Sequence, residues 1–203
     1  MDGIKKSDMK SKKYQFLEFN INTIKEYSLI PIRKSDMEII RRWRNEQIIF
    51  LRQSNYLTKK QQEIYYNRFI KKSFLMDFPD IILFSVLLKK RLIGYGGFVH
   101  INWYSRRAEL SFLNDTIRKQ KQVYERDFST FLEIILKIGF EDLNLNKITT
   151  ETYNIRPNVI KVLEKFNFKK EGILKKHTKI GNEFVDSKLH AILRADYIKK
   201  KRV

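Results

Sequence analysis

Cysteine is absent from the 203 residues. That excludes disulfides, a thiolate nucleophile and cysteine-ligated zinc. Histidine is scarce as well, with His100, His177 and His190 the whole supply, so no metal is expected. Three prolines and seven glycines leave little punctuation, and neither a Pro/Gly/Ser linker nor an internal repeat interrupts the chain. No run approaches the roughly 18 apolar residues needed to span a bilayer. The start, "MDGIKKSDMKSKKYQF", is basic but lacks the apolar stretch of a secretion signal. A cytoplasmic protein without a membrane partner is expected. Its predicted layout is a basic N-terminal extension over residues 1–27 and one domain over residues 28–203.

What the chain does have is positive charge and a core. Hydrophobic residues make up 42% against 32% charged, the balance of a folded globular protein. The formal net charge is +19, from 42 Lys and Arg against 23 Asp and Glu. Such a surface attracts polyanions, among them nucleic acid, nucleotides, coenzyme A and anionic lipid, and the sign alone does not choose among them. A plain lysine-rich solvated surface accounts for it equally well.

The hydrophobic period changes along the chain. "LIPI" (Leu29 to Ile32) reads as a strand, and Ser35-x-x-Glu38 then matches a capping box opening the helix "DMEIIRRWRNEQ". Thr58-x-x-Gln61 matches a second box before "KKQQEIYYNRFIKKSF". "IILFSVLL", "LIGYGGFVHI" and "RAELSFL" are short, β-rich and separated by polar turns, which predicts three consecutive antiparallel strands. Apolar residues from Phe128 to Leu143 recur at helical spacing and predict a long helix with one broad apolar face. The strand "KITTETY", a helix opened by Pro157, and the strands "GILKKHTKI" and "EFVDSKLHAIL" around Gly181-Asn182 complete the order. "YQFLEFNI" near the start is a further candidate strand. "GYGG" (Gly94 to Gly97) lacks the following helix of a dinucleotide fingerprint, and close packing of neighbouring backbone explains it better.

That order resembles the GNAT superfamily of acetyl-coenzyme A dependent N-acetyltransferases, particularly the branch related to ribosomal-protein and amino-sugar acetyltransferases. The residues that carry the resemblance are "FEDLNLNKITTETYNIRPNVIKVLEKFNFKKEGILKKH" (Phe140 to His177), with "RAELSFL" and "IRRWRNEQ". "VLEKFNF" has Asn167 where the family usually has glycine, and asparagine is the next best residue for a left-handed helix end. The implied fold is an α+β three-layer arrangement: a mixed, mostly antiparallel sheet of about seven strands with helices on both faces.

The resemblance also implies a site. In the family, the junction between the "RAELSFL" strand and the long helix holds the coenzyme, strand backbone pairing with the pantetheine amides and the helix N-terminus receiving the pyrophosphate. This points to Leu113, Asn114, Asp115 and Arg118. A gapless count places the family's Q/R-x-x-G-x-G/A sequence on Val123, Tyr124, Glu125, Arg126, Asp127 and Phe128, where neither glycine is present. Either Arg118, Lys119, Lys121 and Arg126 bind phosphate by side chain, or they are solvated surface. Asn158 completes the expected cofactor contacts.

Acetyl transfer needs a proton acceptor for the amine and a polarised carbonyl. Glu109 matches the family's acidic base, the alternative being a carboxylate paired with Arg106 or Arg107. Tyr153 is the candidate acid toward the leaving thiolate. His100 and Trp103 are placed near an acceptor pocket. Arg44, Asn45, Gln47, Arg52 and Gln53 form a density of planar donors suited to phosphate or carboxylate. Direct transfer from acetyl-coenzyme A to a primary amine is therefore expected. The acceptor is an anionic small molecule such as a nucleotide-linked amino sugar, or a protein N-terminus. The rival class is a basic nucleic-acid-binding or scaffold protein that kept the fold and lost the cofactor.

Overall fold

The computed structural model describes residues 13–17 and 21–201. Its eight strands are β1 (Asn22–Ile24), β2 (Tyr27–Pro31), β3 (Ile82–Leu88), β4 (Arg91–Asn102), β5 (Arg107–Asn114), β6 (Lys147–Tyr153), β7 (Lys169–Ile180) and β8 (Glu183–Leu193). They form one sheet in the order β1-β2-β3-β4-β5-β6-β8-β7. Among the described residues β5–β6 is the single parallel pair. The helices are α1 (Met37–Glu46), α2 (Lys59–Tyr65), α3 (Lys71–Ser73), α4 (Lys121–Lys137), α5 (Pro157–Lys165) and α6 (Arg194–Lys201). A wider-wound segment, Tyr66–Ile70, joins α2 to α3. The mixed, mostly antiparallel sheet with helices on both faces is the architecture expected from the sequence. No helix among the described residues is long and apolar enough to cross a membrane.

The central strands explain why the sheet is covered on both sides. β3, "ILFSVLL", is buried at six of seven positions, so neither face can meet water. On one face Phe112 of β5 meets Phe128 and Phe131 of α4 at ring-centroid distances of 5.0 and 4.6 Å. A Cβ at Gly96 would sit 2.8 Å from the Phe131 ring; the bare backbone is what lets α4 descend onto β4. Gly97, at φ +148°, would drive a Cβ into the carbonyl oxygen of Ile82. The glycines of "GYGG" are therefore sites of close backbone approach. Truncating Phe131, fully buried at 0% exposure, removes about 3–5 kcal/mol on the usual scale for buried aromatics.

Several local expectations hold. Thr58 and Gln61 form a reciprocal capping box at α2, Pro157 opens α5, and Asn167 takes the left-handed conformation at φ 64°. The Ser35–Glu38 box does not form. α1 starts at Met37 behind a tight turn over Lys34–Asp36, and Glu38 pairs instead with Arg41 at 2.8 Å. Asp36, buried, accepts from Arg33 at 2.8 Å and from the Ser85 hydroxyl of β3 at 2.6 Å, a tertiary partner that outcompetes a solvent-facing cap.

The boundary expected after residue 27 falls inside β2, and β1 precedes it. Tyr14 and Leu17 lie in the core, with the Tyr14 hydroxyl donating to the Leu83 carbonyl at 2.8 Å and accepting from the Leu83 N–H at 2.7 Å. Part of the N-terminal segment thus belongs to the domain. The strand considered in "YQFLEFNI" runs into residues 18–20, outside the described ones. α6 is new relative to the sequence reading. It is anchored by Tyr197, whose hydroxyl donates to Glu141 at 2.6 Å and whose ring lies 5.0 Å from Phe140.

His190 on β8 is 1% exposed, and neither ring nitrogen has a hydrogen-bond partner among the described residues. Its cross-strand neighbour Thr150 has an unpartnered hydroxyl too. Burial holds the His190 pKa below its ordinary value; Glu164 opposes this while Lys188 and Lys170 add to it. The folded form therefore takes up a proton less readily than the unfolded chain. Stability should be constant above about pH 6.5, then fall as the pH drops from there toward the depressed folded value. Thermal melts from pH 8 downward should show this decline, and His190→Leu should flatten it.

Candidate active site

Strand pairing creates an opening. β5 and β6 run parallel through Arg107↔Lys147, Ala108↔Ile148 and Glu109↔Thr149, and the pairing then stops. β5 continues beside β4 as far as Gly94↔Asn114, while β6 stays with β8 as far as Tyr153↔Ser187. The backbone of β5 beyond Glu109 consequently has no strand partner on its β6 side.

At the apex of this opening Glu109 and Glu151 share one face, because Thr149, opposite Glu109, is two positions from Glu151. Arg52, from the connection between α1 and α2, reaches across. Its guanidinium is ion-paired with Glu109 and lies 3.5 Å from Glu151. His177 of β7 sits 3.6 Å from the other Glu151 oxygen. Glu109 thus pairs with Arg52 rather than with Arg106 or Arg107. Glu151, a carboxylate the sequence reading passed over, belongs to the same cluster. Its only signal was its parity with Thr149 and Tyr153 along "KITTETY".

Two cavities flank the bridge. One, of about 530 Å³, lies between the α1–α2 connection and the β7–β8 hairpin and is lined by Arg52, Gln53, Tyr153, Lys179 and Gly181 among others. Tyr153 is buried in the wall of this cavity. The other, of about 410 Å³, lies between α1, α2 and the sheet, and includes Val99, directly opposite Glu109 in register.

The remaining acceptor candidates separate. Arg44 donates to Gln53 at 3.0 Å and to the Tyr95 hydroxyl at 2.7 Å, facing the smaller cavity. Asn45 is structural: its amide holds both the carbonyl and the N–H of Leu57, at 3.0 and 2.8 Å. Gln47 donates to the Asn114 carbonyl at 2.9 Å and so ties α1 to the end of β5. His100 is exposed at the irregularity in β4. Trp103 donates to the Pro79 carbonyl at 2.9 Å and packs with Phe16 and Phe78. No contact joins either to the Arg52 cluster among the described residues.

The charged junction also differs from the gapless count. α4 begins at Lys121, so Val123 to Phe128 lie within the helix rather than before it. Tyr124, Asp127 and Phe128 are buried. Arg118 is not free: it grips Asp127, which is 0% exposed, through two bonds of 2.6 and 2.9 Å. Asp127 also accepts from the Tyr27 hydroxyl at 2.6 Å, and Arg126 donates to that hydroxyl at 3.1 Å. Burial, then the neighbouring Asp127, pushes the Tyr27 pKa up. This network fixes the turn before α4. Lys119, Gln120, Lys121 and Gln122 are left exposed around a helix end with no side-chain cap, where free N–H groups and the helix dipole favour an anion.

On the other wall Arg156, at the start of α5, donates to the Tyr124 hydroxyl at 3.2 Å and lies over the rings of Phe50 and Tyr124 at 5.1 and 5.9 Å. Asn158, the second residue of α5, is half-buried. Leu113 and Asn114 are buried, and the Asp115 side chain accepts from the Ile117 N–H at 3.2 Å.

A mixed sheet splayed at one parallel pair, with a carboxylate at the apex and an open helix end beside it, defines the acyl-transferase class that the sequence resembled. The family model of the acetyltransferase (GNAT) domain matches residues 29–189. The chain belongs to this family of acetyl-coenzyme A dependent N-acetyltransferases. The uncharacterized N-acetyltransferase p20 of Bacillus licheniformis is 29% identical over 117 residues, covering 56% of this chain and 63% of that relative's length. The spermidine N-acetyltransferase of Vibrio cholerae, solved in complex with CoA and spermine, superposes with a TM-score of 0.73 at 23% identity over 85% of this chain and 98% of that one. A dodecameric structure of that enzyme gives 0.71 at 22% identity, over 86% and 98%.

The Arg118–Asp127 pair generates a direct expectation. Asp127→Ala strips the counter-charge from Arg118 and a hydrogen bond from Tyr27, and should lower stability by about 3 kcal/mol, the low end for breaking a buried pair. Urea unfolding of the two proteins measures it.

Proposed function

We propose that this protein transfers the acetyl group of acetyl-coenzyme A directly to a primary amine bound in the same complex. The observation that carries this reading is the parting of β5 from β6 beyond Glu109. Unpaired strand N–H and C=O groups there suit the two amides of a pantetheine arm, since buried backbone groups require partners. The exposed N-terminus of α4, with Lys119 and Lys121, suits the pyrophosphate. Leu113, Asn114, Asp115 and Asn158 are the further contacts proposed for this arm, and Arg126, exposed on α4 and bonded to the Tyr27 hydroxyl, is proposed for the phosphates. The residues present therefore fit the coenzyme, although side-chain charge replaces the usual glycines.

Acetyl-coenzyme A supplies an activated thioester; the chain's residues supply the proton transfers. Glu109 accepts the proton lost by the attacking nitrogen as the C–N bond forms and the C–S bond breaks. For this the acceptor must displace Arg52 from the carboxylate, since Arg52 occupies it in the present arrangement. Tyr153 supplies a proton to the departing thiolate. With no cysteine in the chain, an acyl-thiol intermediate on the protein has no residue to form on. The two arginines of the smaller cavity, Arg44 and Arg68, with no acidic residue in its described lining, support an acceptor carrying negative charge. The proposed compartment is the cytoplasm.

Calorimetric titration of coenzyme A into the protein should give micromolar binding that Lys121→Ala together with Arg126→Ala weakens. Glu109→Gln should leave that affinity intact and reduce turnover by about 10²- to 10⁴-fold, the usual scale for removing a general base. Absence of coenzyme binding by folded protein, with steeply salt-dependent RNA binding instead, would sink this reading.

A further inference from the structure

The smaller cavity is unlike the rest of this basic surface. Its walls are apolar and aromatic, with Ile40, Ile64, Tyr65, Phe69, Tyr95 and Val99 prominent, and two arginines, Arg44 and Arg68, are its charged lining; no Asp or Glu lines it among the described residues. Arg33, Arg41 and Arg118 each grip a carboxylate. Arg44 does not. Its partners are the neutral Gln53 and Tyr95, and it is half-buried between them. A guanidinium drawn out of water with no counter-charge is costly to maintain for folding alone. Arg68 lies against Phe69, its guanidinium 5.9 Å from the ring centroid, at the same cavity. Burial also pushes the Tyr65 pKa up, although Arg44 opposes this, so that wall stays a neutral phenol.

The cavity is joined to the reacting position. Val99 stands opposite Glu109, and Ser111 follows Glu109 by two residues on the same face of β5. Gln53, which accepts from Arg44, is the neighbour of Arg52, which is paired with Glu109. One short stretch of chain thus links the unpaired guanidinium to the carboxylate that would take the amine's proton.

We infer that this cavity binds the body of the acceptor, and that the acceptor is a carboxylate-bearing amine with an aromatic or large apolar side chain. The inference rests on the acetyl-transfer reading and narrows it. The amine meets Glu109, the carboxylate meets the Arg44 fork, which is built for bidentate pairing, and the apolar portion fills the space walled by Tyr65, Phe69 and Tyr95. A sugar would leave hydroxyls unmatched against these walls, and a polyamine would place its second cation beside Arg44 and Arg68 without an acidic partner.

The test is calorimetric titration of the full chain, with and without coenzyme A, using L-phenylalanine, L-tryptophan, phenethylamine and spermidine. At least one of the two amino acids should bind. Phenethylamine, which lacks only the carboxylate of phenylalanine, and spermidine should bind at least about tenfold more weakly. Arg44→Met should weaken the amino acid by about ten- to hundredfold, the loss of a charge-assisted hydrogen-bonded pair, with the melting temperature and coenzyme A affinity serving as folding controls. If that variant does not fold, the ranking of ligands on the unaltered chain and the weakening by Arg68→Ala at the cavity rim decide the question. Equal or tighter binding of phenethylamine or spermidine overturns the inference, as does an unchanged affinity in a folded Arg44→Met protein. Coenzyme A binding with neither amino acid bound removes this acceptor class and leaves the transferase reading standing. Amino-acid binding without coenzyme A binding does the reverse.

Discussion

β5 cannot pair with both of its neighbours along its whole length, and the candidate site follows from that. Its partner β4 holds it from Glu109 to Asn114, while Phe112 is fixed against Phe128 and Phe131 of α4. β6 is held as firmly by β8, through seven consecutive pairs. Two parallel strands tied to diverging partners must separate, and beyond Glu109 they do. A gap opened this way is rigid, because closing it would mean breaking an antiparallel ladder on one side or the other. That rigidity suits a slot whose work is to hold a flexible arm in one place.

Two buried or half-buried charge clusters organise the walls of the gap, and they act differently. The Asp127 carboxylate is fully satisfied: Arg118 and the Tyr27 hydroxyl donate to it, and Arg126 donates to that hydroxyl. The result fixes the turn ahead of α4 and leaves its N-terminus open. Around Glu109 the matching is incomplete in a productive way. Arg52 serves two carboxylates at once from a half-exposed position.

The long helix, the three-strand meander, the closing hairpin and the left-handed turn at Asn167 were all legible in the sequence, because each depends on local periodicity or on one residue's backbone preference. The start of α4 was not. A gapless count set it within Val123 to Phe128, but helix starts are decided by what the preceding turn can bond to, and here Arg118 bonds forward to Asp127, nine residues on. Ser35 failed as a cap for the same kind of reason: Asp36 found Arg33 and Ser85. Asn45, read as a pocket donor, is consumed by the backbone of Leu57, and Trp103 by the carbonyl of Pro79. α6 lacked a sequence signal because what holds it, Tyr197 and Lys201 on Glu141, Asp196 on Lys169 and Lys200 on the Lys165 carbonyl, lies far away along the chain.

By itself, then, the sequence determined most of the strands and helices, their order and the lack of any thiol chemistry. These are consequences of short-range spacing and composition. Tertiary structure alone decided that Arg52 would bridge Glu109 and Glu151, that Arg118 would be consumed by Asp127 while Arg44 kept no counter-charge, and that an apolar cavity would open beside Val99. Each of those outcomes pairs residues roughly ten to a hundred positions apart. No local pattern can specify such a pairing, because it depends on where the sheet has brought the backbone and on which long side chain reaches a partner first.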